Sequence, residues 1–492
     1  MNELTPDFSK TDGKFLYDKL YEYIKGEIVD GRIRQGEKLP STRALSSYLQ
    51  ISRSTVSLSY DQLLAEGYIK AKKGSGFFAC AIEQLYLEKQ SRDKMGVMIK
   101  AEGRQKRSPY LYDFSPTGVD ISEFPIREWK RLTGKVMNEE PNCLLSHGDA
   151  CGEPILREAI REYLHAARGV ICESSQIIVG AGNDCLLMLL QVLLGNERHI
   201  AFEDPTYQKA YRMFCAMGYS VTTVRMDSEG INMEDLLNSA ASIAYVMPSH
   251  QYPTGVVMPI GRRMELLSWA NREKSRYLIE DDYDSEFRYR GKPIPSLQSI
   301  DTNERVIYLG TFSKSIAPAI RVSYMVLPHK LLNIFRERGG FLSSTVSRTE
   351  QRVLAEFIRQ GLFERYLNRM RNLYLKKHDC LMQALKPFFK KFSISGDDAG
   401  LHLLLTSKED TTEEELLMAA AKMGVRVYGM SEYEIDNEEQ KDDLCIKQEK
   451  ITEKQITEKK STGKTATVLL GYAAMTSEQI IDGIEQLKNA WL

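Results

Sequence analysis

Four segments of the 492-residue chain have the residue types and order of a ligand site. Lys314 closes an apolar run in VIYLGTFSKSIAPAIRVSY, with Arg321 shortly after it. Upstream, YLIEDDYDSEF sets Asp281 at the end of another apolar run, with Tyr283 two residues on. Earlier still, IIVGAGNDCLLMLL places a small turn, Gly180 to Asn183, against the start of a helix, where free amides and the helix dipole favour a phosphate. Between these, EDPTYQKAY offers Tyr207 as a flat aromatic surface. Taken singly, each has a bland explanation: a solvated lysine, a helix-capping aspartate, a core tyrosine, an arginine in a structural ion pair. Their order, each at a strand end or a helix start, is what makes a shared site the better account.

The elements that must carry them follow from the apolar pattern beyond Tyr112. Strands are predicted at 177–180, 199–202, 243–247, 277–281 and 306–310, and helices around 156–168 and 185–194. Such alternation predicts an α/β domain with a largely parallel sheet, in which ligands bind at the strand ends.

The first eighty residues differ. Leu16, Leu20, Ile24 and Ile28 recur every fourth position and predict a helix with one buried face. After Gly31, Gly36 and Pro40, Ser41 is placed to cap a short helix through Leu49, and Ser52 to cap a third. The third helix should turn Val56, Tyr60, Leu63 and Leu64 inward and Arg53, Thr55, Ser57 and Ser59 outward. YIKAKKGSGFFA then predicts a hairpin with a basic tip at Lys72 to Gly76. Residues 31–80 hold eight Lys/Arg against three acids, a credible phosphate-facing surface although the whole chain carries a net charge of only −1.

Composition excludes other classes. No apolar stretch is long enough to span a membrane, and MNELTPDFSK lacks the basic-then-apolar pattern of a signal peptide, so a cytoplasmic location is expected. The eight cysteines form no CxxC pair or His/Cys cluster, and no metal site is expected. The expected organisation is a DNA-binding domain at 12–80, a linker at 81–111 and a large domain at 112–492, with a charged, exposed insertion at 434–465.

The stretch from LYDKLYEYIKGEIVDGRI through the hairpin resembles the winged helix-turn-helix of GntR-family regulators. The resemblance implies that Arg43, Arg53 and Thr55 touch phosphates or base edges, with Ser52 and Lys72 beside them, and that Gly76 lets the wing approach the backbone of double-stranded DNA. The family often has an arginine where this chain has Ser57, so operator sequence does not carry over.

Residues 112–492 resemble fold-type I pyridoxal-phosphate enzymes, the aspartate aminotransferase superfamily, with large and small domains. That resemblance implies a Schiff base at Lys314, with Asp281 on the pyridine nitrogen and Tyr283 on the ring hydroxyl. It further implies that Tyr207 stacks on the ring, and that the amides of Ala181 and Gly182, the Asn183 side chain, Thr311, Ser313 and Arg321 cradle the phosphate. The combination, with MPSHQYPTGVVMP and IEDDYDSEFRYRGKPIPSLQ, is similar to the MocR-type subgroup, whose members are regulators and head-to-tail homodimers.

Three departures bear on function. Tyr252 precedes Pro253 where aminotransferases usually carry a cofactor-contacting Asn; Leu469 takes the place of the substrate-carboxylate Arg; Glu432 stands where amino-acid-sensing members often have Arg. Glu432 is either a buried anion that repels carboxylates unless Lys209 or another cation compensates, or it is solvated or out of step with the family pattern because the charged insertion begins nearby. The regulator reading expects an effector that reacts through an amino group, or pyridoxal phosphate itself, and at most residual transaminase activity. A working aminotransferase with an accessory DNA-binding head is the alternative, and a cofactor-free dimerisation module a third.

Overall fold

A computed structural model describes residue 6 and residues 15–72, 74–80, 110–139, 141–289, 294–397, 399–435 and 465–492. The expected linker lies outside these except for residues 110 and 111, and so do residues 436–464 of the expected insertion. The chain divides into two compact units, Met1–Arg107 and Ser108–Leu492.

The first unit comprises α1 (Leu16–Val29), α2 (Thr42–Leu49), α3 (Arg53–Ala65) and the antiparallel hairpin of β1 (Ile69–Lys72) and β2 (Gly76–Ala79). Ser41 and Ser52 accept hydrogen bonds from the amides of Ala44 and Thr55, at 3.1 and 3.0 Å, satisfying donors that a helix start leaves free. Leu20, Ile24 and Ile28 of α1 are buried with Val56, Tyr60 and Leu63 of α3 in one core. Two expectations fail here. Leu16 sits in the first turn of α1 and is exposed, and Ser59 faces inward rather than outward. Its hydroxyl donates to the Tyr17 carbonyl at 2.8 Å, so a small polar group fills the α1–α3 contact at no cost in unsatisfied polarity.

In the second unit, β3 (Tyr112–Asp113) precedes a sheet made of β4 (Ile177–Gly180), β5 (His199–Asp204), β6 (Ser220–Asp227), β7 (Gly230–Ile231), β8 (Ile243–Val246), β9 (Tyr277–Asp282), β10 (Val306–Thr311) and β11 (Ser323–Val326). Their spatial order is β4-β11-β10-β9-β8-β5-β6-β7. The run from β10 through β9, β8 and β5 to β6 is parallel, while β11 is antiparallel to both its neighbours. β4, β8, β9 and β10 are buried along their whole length, which is why β4, β8 and β10 read as largely apolar runs rather than alternating ones, while β9 ends on the buried acids Glu280, Asp281 and Asp282. The remaining strands are β12 (Phe392–Ser395), β13 (His402–Ser407), β14 (Val425–Arg426), β15 (Tyr428–Gly429) and β16 (Thr467–Gly471). They build a second sheet, β12-β13-β16-β15, while β14 pairs with β3. Helices Leu362–Ala384 and Ser477–Trp491 supply apolar residues to its core. Ile435, placed in the exposed insertion by sequence, is buried, and its amide donates to Asp204 Oδ1 at 3.0 Å. Among the described residues no helix is long and apolar enough to cross a membrane.

Candidate functional site

Sheet register brings the sequence-distant residues together. Gly180, Ser323 and Thr311 lie side by side at the ends of β4, β11 and β10, and Asp281 of β9 is paired with Leu309 of β10. The Ser323 hydroxyl donates to Thr311 Oγ1 at 2.8 Å, and Thr311 in turn accepts from the Ser313 amide at 3.1 Å, starting the short helix that carries Lys314. One turn chemistry thus fixes Thr311, Ser313 and Lys314.

The Lys314 ammonium donates to the Thr117 carbonyl at 2.8 Å. Burial lowers its pKa to about 8, against the pull of nearby Asp284, so the neutral amine is within easy reach. Asp281 is buried and accepts from the Tyr245 hydroxyl and, at 3.4 Å, from Asn183 Nδ2. Burial, with Asp282 and Asp284 adding repulsion, pushes its carboxyl up to about 7 against those hydrogen bonds. No cation pairs with Asp281 among the described residues. Asp282 differs although adjacent, because Arg168 Nε donates to it at 2.7 Å.

At the other end, Gly182 has φ +88° and a Cβ there would meet Arg321 Nη2 at 2.2 Å. The bare glycine is what lets the guanidinium lie over the helix start. Arg321 Nη2 donates to the Ala181 carbonyl at 3.3 Å and to Asp184 Oδ2 at 3.1 Å, and Lys209 Nζ reaches the same Asp184 oxygen at 2.6 Å. Not every expected cradle group points inward. The Ala181 amide donates to Thr345 Oγ1 at 3.0 Å and the Gly182 amide to the Gly180 carbonyl at 2.8 Å. Asn183 directs its Nδ2 to Asp281 and leaves Oδ1 without a partner, as is the buried Ser313 hydroxyl.

An open cleft of about 470 Å³ is lined by Thr117, Tyr207, Lys209, Arg212, Met213, Ala216, Tyr252 and Tyr433, among others. Lys209, Arg212, Met213 and Ala216 are one face of helix Gln208–Ala216. Tyr252 stands edge-on to Tyr207, Tyr283 and Tyr433, at ring distances of 6.0, 5.8 and 5.3 Å. Lys314 adjoins this cleft through Thr117. Glu432 does not line it: the residue is exposed, and its Oε1 accepts from the Gly429 amide of its own turn at 3.3 Å. Partial desolvation nonetheless raises its carboxyl pKa, and its charge is felt by Tyr252 and Tyr433 of the cleft. Leu469 is fully buried in β16 between Leu404 and Tyr428.

Sequence reading missed Tyr245, Asp184, Arg212 and Thr117. Asp184 and Arg212 are ordinary surface-type residues by pattern, and Thr117 acts through its carbonyl, so neither type nor spacing marks them. Tyr245 was visible only as one aromatic in an apolar strand.

In the first unit Arg43 and Arg53 are exposed at the starts of α2 and α3. Thr55 is half-buried, with its hydroxyl 2.8 Å from that of Ser52. Lys72 is exposed in register with Gly76, and its ammonium lies 4.9 Å from the Phe78 ring centre. Gly76 has φ +103°, and a Cβ would touch Lys38 at 3.3 Å. Arg32 is drawn off the basic surface by Glu27 and Asp30, at 2.8 and 2.7 Å.

Residues 16–79 match the family of bacterial regulatory proteins, gntR family, and residues 122–447 match aminotransferase class I and II. The HTH-type transcriptional regulator YhdI of Bacillus subtilis (strain 168) is 39% identical over 99% of this chain and 98% of its own. The probable rhizopine catabolism regulatory protein MocR of Rhizobium meliloti is 30% identical over 97% of this chain and 94% of its own. A multiple substrate aminotransferase from Thermococcus profundus superposes with a TM-score of 0.65 at 22% identity, over 78% of this chain and 92% of its own, which establishes the fold-type I architecture of the body. The chain belongs to the MocR-type GntR family of transcriptional regulators, in which a DNA-binding helix-turn-helix is joined to an aminotransferase-like body.

Proposed function

We propose that this regulator carries pyridoxal phosphate on Lys314 and that an amino compound, or pyridoxal phosphate itself, controls its binding to DNA there. The observation that carries the reading is the convergence at one set of strand ends of three unlike groups. These are a half-buried amine with a lowered pKa (Lys314), a buried acid with no cation among the described residues (Asp281), and a guanidinium laid over a bare glycine (Arg321 on Gly182). The residues fit the cofactor on the same grounds. An acid without a cation among the described residues suits a protonated ring nitrogen, and the unpartnered Ser313 hydroxyl suits a phosphate oxygen. Tyr207 supplies a face for the ring, and Thr311 holds Ser313 in place. The Ala181 and Gly182 amides would have to release Thr345 and Gly180 to join the cradle.

When bound, pyridoxal phosphate supplies an aldehyde that condenses with a primary amine and releases water. The chain's own residues set how that can be used. Lys314 is held by Thr117 at the cleft edge, where an incoming amine can compete with it, and Lys209 is tied to Asp184. Leu469 offers an incoming carboxylate no clamp, which favours sensing over turnover. Arg43, Ser52, Arg53, Thr55, Lys72 and Gly76 form the DNA-facing set, and a head-to-tail homodimer in the cytoplasm, where the chromosome lies, is the working form.

The test is spectroscopic and functional together. The full chain incubated with pyridoxal phosphate should show a visible band that borohydride abolishes, and Lys314→Ala should lose it. Amines that displace the band should alter affinity for operator DNA. A folded protein without a band, or one that turns over an amino donor and keto acceptor repeatedly, would defeat the reading.

A further inference from the structure

Beside Tyr283 lies a buried pair that the reading above leaves idle. His250 is 2% exposed and Asp284 3%. His250 Nδ1 stands 3.0 and 3.2 Å from the two Asp284 oxygens and 3.0 Å from the Tyr283 hydroxyl. The opposite ring nitrogen, Nε2, has no partner among the described residues. The ring is locked in place, since a Cβ on Gly400 would fall 2.0 Å from its Cε1. The titratable groups facing the pair are His402, whose ring is 5.5 Å from that of His250, Tyr252 and Asp281 on the Tyr283 side, and Lys314 on the His402 side. His402 donates from Nε2 to the Pro253 carbonyl at 2.9 Å, and burial lowers its pKa to about 4, so it contributes no charge at neutral pH.

We infer that His250, oriented by Asp284, is a positioning residue that aims the Tyr283 hydroxyl proton at the cofactor's ring oxygen; this rests on the cofactor reading above. A carboxylate only accepts, so the hydrogen between Asp284 and His250 sits on Nδ1. That hydrogen is shared with the Tyr283 oxygen, which accepts it and keeps its own O–H free to donate elsewhere. Asp284 is itself within hydrogen-bonding reach of the phenol. Without the Nδ1 hydrogen, Tyr283 would turn its proton to that carboxylate and withdraw it from the ring. The pair thus selects the direction of one hydrogen bond, in the way a carboxylate fixes the tautomer of a metal-bound histidine.

The readout is the pH midpoint of the visible band in full-length protein loaded with pyridoxal phosphate. Losing a donor at the ring oxygen leaves that oxyanion less stabilised, so the proton shared with the lysine nitrogen is held more tightly and the midpoint rises. Tyr283→Phe and His250→Gln should each raise it by roughly one pH unit. His250→Leu, measured alongside, should do the same. His250→Asn keeps an N–H near the Nδ1 place and should stay close to wild type. In a Tyr283→Phe background, His250→Gln should add nothing. A His250→Gln shift that persists in full without the Tyr283 hydroxyl, or a midpoint that responds to Tyr283 and ignores His250, overturns the inference while leaving the cofactor reading intact. A wild-type protein with no band overturns both.

Discussion

Gly182 and Arg321 are matched across the site: the guanidinium occupies the space a side chain at 182 would need, 2.2 Å from Nη2 to an added Cβ. The glycine also sits at φ +88°, where an L side chain is strained. Gly182→Ala should therefore push Arg321 off the helix start and weaken pyridoxal phosphate binding at least tenfold, about 1.4 kcal/mol. Absorbance titration with the cofactor measures this, and a folded Gly182→Ala protein of unchanged affinity would show that Arg321 is not part of the cradle.

A second expectation concerns pH. The Asp281 carboxyl is raised to about 7 in the folded chain, whereas an unfolded aspartate titrates near ~3.9. The folded state therefore binds the proton more tightly, and stability falls as pH climbs between those two values, with the full penalty present above about 7. In cofactor-free protein, Asp281→Asn should raise the melting temperature at pH 8, by roughly 2 °C or more, and by progressively less toward pH 4. Pyridoxal phosphate should reverse the order, because a protonated ring nitrogen gives the wild-type carboxylate the cation it lacks. Thermal unfolding at both pH values, with and without cofactor, decides the matter; equal melting curves at pH 8 would contradict the assigned role.

The parts of this chain that were legible are those whose physics is local or periodic. Ser41 and Ser52 announce helix starts because a hydroxyl before an apolar turn has an obvious use, and β4, β8, β10 and the first half of β9 announce themselves because strands buried on both faces are largely apolar. Ser59 was misplaced because its helical position alone suggests an outward face, and only the Tyr17 carbonyl, forty-two residues away, explains its burial. The phosphate end was legible in type but not in detail. That Asp184 gathers Arg321 and Lys209 on one oxygen, or that Thr345 takes the Ala181 amide, depends on segments brought together only by the fold. Glu432 is the clearest case: its character as buried anion or solvated charge turns on a backbone turn that no spacing rule encodes.

The last prediction separates contact from scaffold at the DNA-binding end. Arg53 is exposed at the start of α3 and has no side-chain partner among the described residues, whereas Ser52 both caps α3 through the Thr55 amide and lies within a cluster of hydroxyls with Ser54 and Thr55, at 2.7 and 2.8 Å. If Arg53 meets a phosphate, Arg53→Ala should weaken binding across sequences, leave the melting temperature unchanged and reduce the slope of log affinity against log salt by about one. If it reads a guanine edge, the loss should instead concentrate on one position of the site, at roughly 1–3 kcal/mol. Ser52→Ala should behave differently, costing about 1 kcal/mol of stability in the winged-helix unit through the lost cap, whatever it does to DNA. Binding measured at several salt concentrations, on duplexes the wild-type protein selects from a random pool, distinguishes these outcomes. Unchanged affinity in a folded Arg53→Ala protein would move the DNA-facing surface away from the start of α3, toward Arg43 and the Lys72 wing.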